Sequence, residues 1–246
     1  MKASLIITSF NRPQLLKFGL ESLHKYPLND IEIIVLNDGD SDDGTEEVCK
    51  SFGVRYFAAS QDKERWRIPG FAINFGVKQS LGEYVFISCA EIYHMGDSLS
   101  NMISVLNMAP NSLVIPKDGR DDDGKLLAKL VAGQTISNDD FDHAPVLHNT
   151  HLPFFMGMKK ENFVNIGGYD EDFTGIAYDD NDFVERMNRA GYRHVRSSAR
   201  IVHLYHPRMS FGDPVLQAKF DTNLKLYKSR QNVILRNVNR VWGEKF

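Results

Sequence analysis

Cysteine is scarce: Cys49 and Cys89 are the two in 246 residues. Two thiols in apolar or helical surroundings make no disulfide framework, and they read as reduced thiols of a cytosolic protein. Long hydrophobic runs are missing as well. The apolar run at residues 5–7 is too short for the core of a secretory signal, and no stretch approaches the roughly 20 apolar residues of a membrane-spanning helix. The expectation is a soluble, cytoplasmic chain. Positive charge is not in excess, with 29 Lys+Arg against 32 Asp+Glu and a formal net charge of -3, so no global field draws the protein to nucleic acid or anionic lipid. Basic residues do gather near the C-terminus, at Lys225, Lys228, Arg230, Arg236 and Arg240. They read as a solvated helix face and leave peripheral membrane contact open. Internal repeats and low-complexity tracts are also lacking.

What is present is an ordinary globular composition, 42% hydrophobic and 25% charged, on a chain long enough to bury a proper core. The first half alternates two kinds of pattern. Short β-rich runs at residues 4–8, 31–36, 54–58, 83–89 and 112–116 predict strands. Between them, Asn11 as a cap, Pro13 in a first turn and Leu16, Leu20 and Leu23 at helical spacing predict a helix. Further helices are expected over residues 45–52 and 70–80 and around Leu99, Met102 and Leu106. Strands alternating with helices imply a mostly parallel sheet that binds ligands at the carboxyl ends of its strands. From 117 to 152 the pattern dissolves into polar, turn-rich sequence, which reads as a long surface excursion. Order returns with a strand at 154–158, a helix around 161–166, and Phe183, Met187 and Ala190 on one helical face. Val195 and residues 201–204 are strand-like, and 214–230 reads as a C-terminal helix.

Two predicted strand ends carry small polar groups: Thr8-Ser9-Phe10-Asn11-Arg12-Pro13 and Asn37-Asp38-Gly39-Asp40-Ser41. Either alone is ordinary turn chemistry. Together, at the first two strands of one sheet, they suggest a carboxylate that accepts from a base N–H and hydroxyls that hold a ribose. Here IITSFNRPQLL, IEIIVLNDGDSDDGTEEV and GFAINFGVKQSLGEYVFIS resemble the nucleotide-binding half of family-2-type glycosyltransferases of the GT-A fold. That family's usual pattern is T-x-x-N-R, then D-D-G-S, then an A-R-N-x-G helix before G-E-Y and an apolar strand. The resemblance implies an α/β catalytic domain over residues 1–246. It has a nucleotide-sugar-binding half at about 1–116, an acceptor half at about 117–212 and a helical tail at 213–246. It also implies a base-reading role for Asp38, donor contacts from Thr8, Ser9, Asn11 and Arg12, and Asn74 at the family's asparagine position. Ile73 replaces the family's arginine, and Arg65 or Arg67 would supply that charge to the diphosphate; a solvated loop explains these two arginines equally well.

Where the family carries its D-x-D metal motif, this chain has Ser88-Cys89-Ala90-Glu91. Glu91 fits the third position, and His94 follows at i+3. The segment AEIYHMGDSL is similar to a branch with E-x-x-H in place of D-x-D. A carboxylate and an imidazole, completed by diphosphate oxygens, suit Mn²⁺ or Mg²⁺ as the divalent cation. A capping or surface histidine is the other reading of His94. The run Gly167-Gly168-Tyr169-Asp170-Glu171-Asp172-Phe173, followed by Tyr178-Asp179-Asp180-Asn181-Asp182-Phe183, resembles the acceptor-side signature G-G-F-D-E…E-D-x-D, like that of galactosyl- and N-acetylgalactosaminyl-transferases. A carboxylate at a helix N-terminus is favoured as the anion, so Asp180 is expected to be the general base. Asp179 stands where Glu is usual, and Asp182 is expected to bind acceptor hydroxyls or to cap. In the related transferases a histidine after the late strand completes the metal site; His206 fits that place, with His203 in reserve and Arg208 near phosphate. The function implied is transfer of a sugar from a nucleotide-sugar donor to a glycan or other hydroxyl acceptor, with a divalent cation and with inversion. The same residues bear on two alternatives. A nucleotidyltransferase needs a glycine-rich basic loop after the first strand, which TSFNRP is not. A decayed nucleotide- or carbohydrate-binding module is suggested by Ser88-Cys89-Ala90, but Glu91, His94, Asp180 and His206 argue against decay.

Overall fold

The computed structural model describes residues 2–60, 69–146, 154–207, 214–244 and 246. In chain order, the first half runs β1 (Ala3–Ser9), α1 (Pro13–Leu23), β2 (Ile31–Asn37), α2 (Thr45–Phe52), β3 (Arg55–Ala58), α3 (Gly70–Gln79) and β4 (Tyr84–Cys89). The second half runs β5 (Ile92–His94), α4 (Ser98–Met108), β6 (Ser112–Arg120), α5 (Lys125–Val131), α6 (Asn138–His143), β7 (Phe155–Lys159), α7 (Lys160–Asn165), α8 (Asp179–Arg189), β8 (Arg193–His203) and α9 (Pro214–Arg230). The strands form one sheet in the order β3-β2-β1-β4-β7-β6-β8-β5.

The first four strands are mutually parallel, whereas β7 is antiparallel to both of its neighbours and β5 is antiparallel to β8. The sheet is therefore mixed. Alternate residues of its apolar strands point to opposite faces. Leu5, Ile7, Val35 and Phe86 pack with Leu16 and Leu20 of α1 and Leu99, Met102 and Leu106 of α4. Ile6, Ile34, Leu36, Val85 and Ile87 pack on the other side with α3, α7 and α8, through Ala72, Val77, Phe163, Phe183 and Met187. Strands covered on both faces read as continuous apolar runs, and this is why the sequence pattern located them well.

Three differences from the sequence expectation bear on the site. First, 117–152 is not wholly irregular: β6 continues to Arg120, and two short helices follow. Asp121 caps α5 by accepting from the backbone N–H of Leu126 (3.1 Å) and Leu127 (2.9 Å). Ser137 and Asp140 form a reciprocal capping box on α6. Second, residues 92–94 form a strand, β5, on the outer edge of β8. Third, β8 is one strand of 11 residues rather than two short segments.

Lys225, Lys228 and Arg240 are exposed, as a solvated face requires, but the arginines are held by carboxylates and Arg236 is buried. Arg230 pairs with Asp170 and Asp172, Arg236 with Asp170 and Asp182, and Arg240 with Asp172. The tail thus folds back onto the Gly-Gly-Tyr-Asp-Glu turn. Among the described residues, no helix is long and apolar enough to cross a membrane.

Candidate active site

The ends of β1 and β2 are locked together by two asparagines. Asn11 adopts a left-handed conformation (φ 54°). Its amide donates to Asp40 Oδ2 (2.8 Å), and its Oδ1 accepts from Asp40 N–H (2.7 Å). A Cβ on Gly39 would lie 2.1 Å from Asn11 Oδ1, so only glycine fits there. Asn37 closes the turn, accepting from Gly39 N–H at 2.9 Å and donating to the Asp40 carbonyl at 3.0 Å. Asp38 follows, buried, with its N–H on the Ser9 carbonyl at 2.8 Å. Ser9 is also buried, and among the described residues its hydroxyl has no hydrogen-bond partner. Thr8 reaches the Ser88 carbonyl only at 3.5 Å. Thr8, Ser9, Asn11, Arg12 and Asp38 thus lie at or just past two adjacent strand ends, where Asn11 acts as a clasp.

The chain then leaves β4 and crosses to the far side of the sheet. Ala90 N–H donates to the Thr8 carbonyl and Leu204 N–H to the Glu91 carbonyl, both at 2.9 Å. These two bonds bring the ends of β1, β4 and β8 together around Glu91. As a result, donor atoms of Cys89, Glu91 and His203 all lie within 4.8 Å of one another, the one such cluster among the described residues. Glu91 is buried, and the guanidinium of Arg12 forms an ion pair with one of its oxygens. Burial pushes the Cys89 thiol up to about 12, against the opposing pull of Arg12 and with a further push from Asp180. Arg12, Cys89 and Asp180 therefore share one electrostatic environment.

His94 is outside this cluster. It is buried, its Nδ1 is 2.6 Å from Ser98 Oγ, and its ring meets Phe155 edge-on at 5.2 Å. Burial pulls its pKa down to about 3. The E-x-x-H spacing would align the two side chains on a helix, but 92–94 is a strand, where residues three apart face opposite sides. His206 lies with its ring 5.2 Å from that of His203. The chain leaves the strand after His203, so two histidines three apart meet where a continuing strand would have separated them. The late-strand histidine in the cluster is the reserve, His203, with His206 beside it. Both line a cavity of about 340 Å³ with Arg120, Asp122 and Tyr205. Arg65, Arg67 and Arg208 lie outside the described residues.

The acidic signature is folded by long-range contacts. Gly167 and Gly168 both have positive φ (78° and 66°). A Cβ on Gly168 would fall 2.5 Å from Asn74 Oδ1. Asn74 is fully buried; it accepts from Tyr169 N–H (2.8 Å) and donates to the Tyr169 carbonyl and Glu171 (both 2.9 Å). Its polar atoms are thus taken up in holding the turn rather than offered to a donor. Two consecutive non-glycine residues, Ala177 and Tyr178, take positive φ (68° and 71°) just before α8, a conformation that persists only where surroundings impose it. Asn223 of α9 imposes it, donating to the carbonyls of Thr174, Ile176 and Ala177 at 2.7–3.1 Å. Nothing in the local sequence signals that role.

This strained turn delivers three aspartates to the start of α8, each in different surroundings. Asp180 is half-buried, and its Oδ1 accepts from the Tyr169 hydroxyl at 2.8 Å. The Tyr169 ring is held by stacking on Phe183, centroids 4.4 Å apart. Desolvation pushes the Asp180 carboxyl up to about 6, opposed by the Tyr169 bond. Desolvation therefore outweighs the helix terminus that was expected to keep the group acidic. Asp179 is buried, with Oδ2 unpartnered among the described residues, and burial and the neighbouring Asp180 push it well above the usual carboxylate range. Asp182 is turned away from solvent: its two oxygens bind Arg186 and Arg236 at 2.6 Å, all three side chains buried. It fixes the tail to α8, with a guanidinium on each of its oxygens.

A sheet whose parallel strand ends carry a buried carboxylate, a cluster of potential metal donors and a helix-terminal aspartate has the architecture of a GT-A glycosyltransferase. The sequence pattern described as glycosyl transferase family 2 matches residues 4–173, and that of the N-terminal domain of galactosyltransferase matches 154–208. The chain belongs to glycosyl transferase family 2. An uncharacterized glycosyltransferase of Rickettsia felis is 34% identical over 112 residues, 44% of this chain and 18% of that protein. The GalNAc(5)-diNAcBac-PP-undecaprenol beta-1,3-glucosyltransferase of Campylobacter jejuni is 28% identical over 184 residues, 71% of this chain and 56% of that protein. The chain thus spans between about a fifth and just over half of these relatives. Among solved structures, the mannosyltransferase PcManGT of Pyrobaculum calidifontis, in complex with GDP-Man and Mn²⁺, superposes with a TM-score of 0.61 at 16% identity, covering 93% of this chain and 63% of that one. That likeness is one of fold.

Proposed function

We propose that residues 1–246 form one catalytic unit that transfers a sugar from a nucleoside diphosphate donor to a hydroxyl acceptor with inversion at the anomeric carbon. The observation that carries this reading is the placement of Asp180. It is near enough to Cys89 for its charge to act on the thiol, accepts a hydrogen bond from Tyr169, and has a carboxyl raised to about 6. A base with a pKa just below neutrality is mostly ionised at pH 7 and still accepts a proton readily. The acceptor hydroxyl oxygen forms its bond to the anomeric carbon as the bond from that carbon to the donor phosphate oxygen breaks, and the hydroxyl proton passes to Asp180. Tyr169 orients the carboxylate through Oδ1 and leaves Oδ2 for the proton.

Donor recognition is assigned to the ends of β1 and β2. Asp38 accepts from the base, and the unpartnered Ser9 hydroxyl is a waiting contact for the nucleotide. The chemistry of Cys89, Glu91 and His203 fits a divalent cation, because Arg12 takes one Glu91 oxygen and a carboxylate has a second. A cation held there would neutralise charge developing on the departing diphosphate. Arg12 adds positive charge beside it. The Mn²⁺ in the PcManGT structure supports cation use.

The test is a donor-hydrolysis and transfer assay across a panel of nucleotide sugars, with and without Mn²⁺ and with excess chelator. Sugar release that needs the cation and falls sharply in Asp180→Asn supports the reading. Binding of nucleotide sugar with no turnover under any condition would leave a binding module instead.

A further inference from the structure

We propose that Cys89 is itself a metal ligand, and that its thiolate makes the centre select a borderline cation such as Zn²⁺ or Co²⁺ over Mg²⁺. The inference rests on the reading above that the site holds a divalent cation. What carries it further is the donor set. Sulfur from Cys89, oxygen from Glu91 and nitrogen from His203 lie within 4.8 Å of one another, close enough for one ion to touch all three after small side-chain movements. Mg²⁺ demands near-octahedral oxygen ligands and keeps several waters. Thiolate with imidazole suits Zn²⁺ and its neighbours, and for a given site affinity rises from Mn²⁺ through Co²⁺.

The two cysteines differ in the way this role requires. Cys49 is fully buried in the core beneath α1 and the sheet. Cys89 ends β4, packs against the edge of that core and is only half-buried. Backbone geometry also holds it in place. The Ala90 bond to Thr8 and the Leu204 bond to Glu91 fix the segments that carry all three donors, so the cluster needs no rearrangement of the sheet. Arg12 pins one Glu91 oxygen and so sets the direction of the carboxylate.

The experiment titrates metal-free protein with Co²⁺ and reads the sulfur-to-cobalt charge-transfer absorption, in the wild type and in Cys89→Ser. Parallel calorimetry measures Mg²⁺, Mn²⁺ and Zn²⁺ with GDP or UDP present. The expected result is a charge-transfer band in the wild type that is absent in Cys89→Ser, and Zn²⁺ and Co²⁺ bound more tightly than Mg²⁺. Replacing Cys89 should weaken Zn²⁺ by at least about tenfold, since even residues that only support a metal ligand are worth roughly 10–100-fold. As a measurement independent of any variant, Zn²⁺ should protect the half-buried thiol of the wild type from alkylation, with Cys49 shielded by the core throughout. Co²⁺ binding without the band, or alkylation unaffected by Zn²⁺, overturns the role of Cys89 and leaves the cation reading standing. No binding of any of these ions overturns both.

Discussion

Replacing Asp180 by Asn should make the protein more stable at neutral pH while removing most of its activity. Desolvation raises this carboxyl from an ordinary 3.8 to about 6. At ~1.36 kcal/mol per pKa unit, the full effect is about 3 kcal/mol, and screening of a half-exposed side chain brings it to about 1–3 kcal/mol. The sign follows from linkage. A carboxyl whose folded pKa lies above its unfolded value adds stability below the unfolded pKa and loses it as pH rises through about 6. At pH 7.5 the ionised group therefore carries the whole cost, whereas at pH 4.5 it is mostly neutral in the fold and only a part of the cost is present. Asparagine still accepts from the Tyr169 hydroxyl but carries no charge to desolvate. Thermal melts of both proteins should diverge as pH rises from about 4 to about 6 and stay apart above it, with the variant higher by a few degrees, since 1 kcal/mol shifts a domain of this size by about 2–4 °C. Transfer should fall on the order of 10²–10⁴-fold, and wild-type turnover should decline as pH drops through about 6. A variant that melts below the wild type equally at both pH values, or that keeps near-wild-type turnover, refutes the argument.

Asp38→Ala should weaken binding of a nucleoside diphosphate by about 1–3 kcal/mol in calorimetry; unchanged affinity in a folded variant removes Asp38 from the donor site. Asp182→Ala leaves two buried arginines short of a partner and should cost about 3–5 kcal/mol in chemical denaturation; a stable variant altered only in acceptor KM would return Asp182 to the substrate. Asn223→Ala frees the carbonyls of Thr174, Ile176 and Ala177, so hydrogen exchange should quicken around the turn before α8 and turnover should fall with donor affinity kept. Unchanged exchange there would mean that the turn holds its own shape.

The strands were legible because apolar runs covered on both faces need no knowledge of their partners. The capped start of α6 was legible in principle, since Ser137 and Asp140 stand at capping-box spacing. The acidic signature was recognised at Gly167–Gly168 and 179–182, but its three aspartates could not be told apart by spacing. Only packing against Arg186 and Arg236 turned Asp182 inward, while the Tyr169 hydroxyl took up Asp180. Asn74, offered by resemblance as a donor contact, is taken up by the turn at Tyr169. The basic C-terminus read as solvated because its acidic partners, Asp170, Asp172 and Asp182, are distant in the chain.

The donor cluster divides the two sources of information most sharply. By itself the sequence determined that Glu91 follows a buried strand and that histidines occur at 94, 203 and 206. Which histidine meets Glu91 depends on whether the backbone between them is helical or extended, and on which strand the crossing segment pairs with. The pairing of β5 with β8 decided both. It turned His94 into the core and brought His203 beside Cys89, because side-chain direction alternates along a strand while spacing in sequence does not reveal that a strand is there.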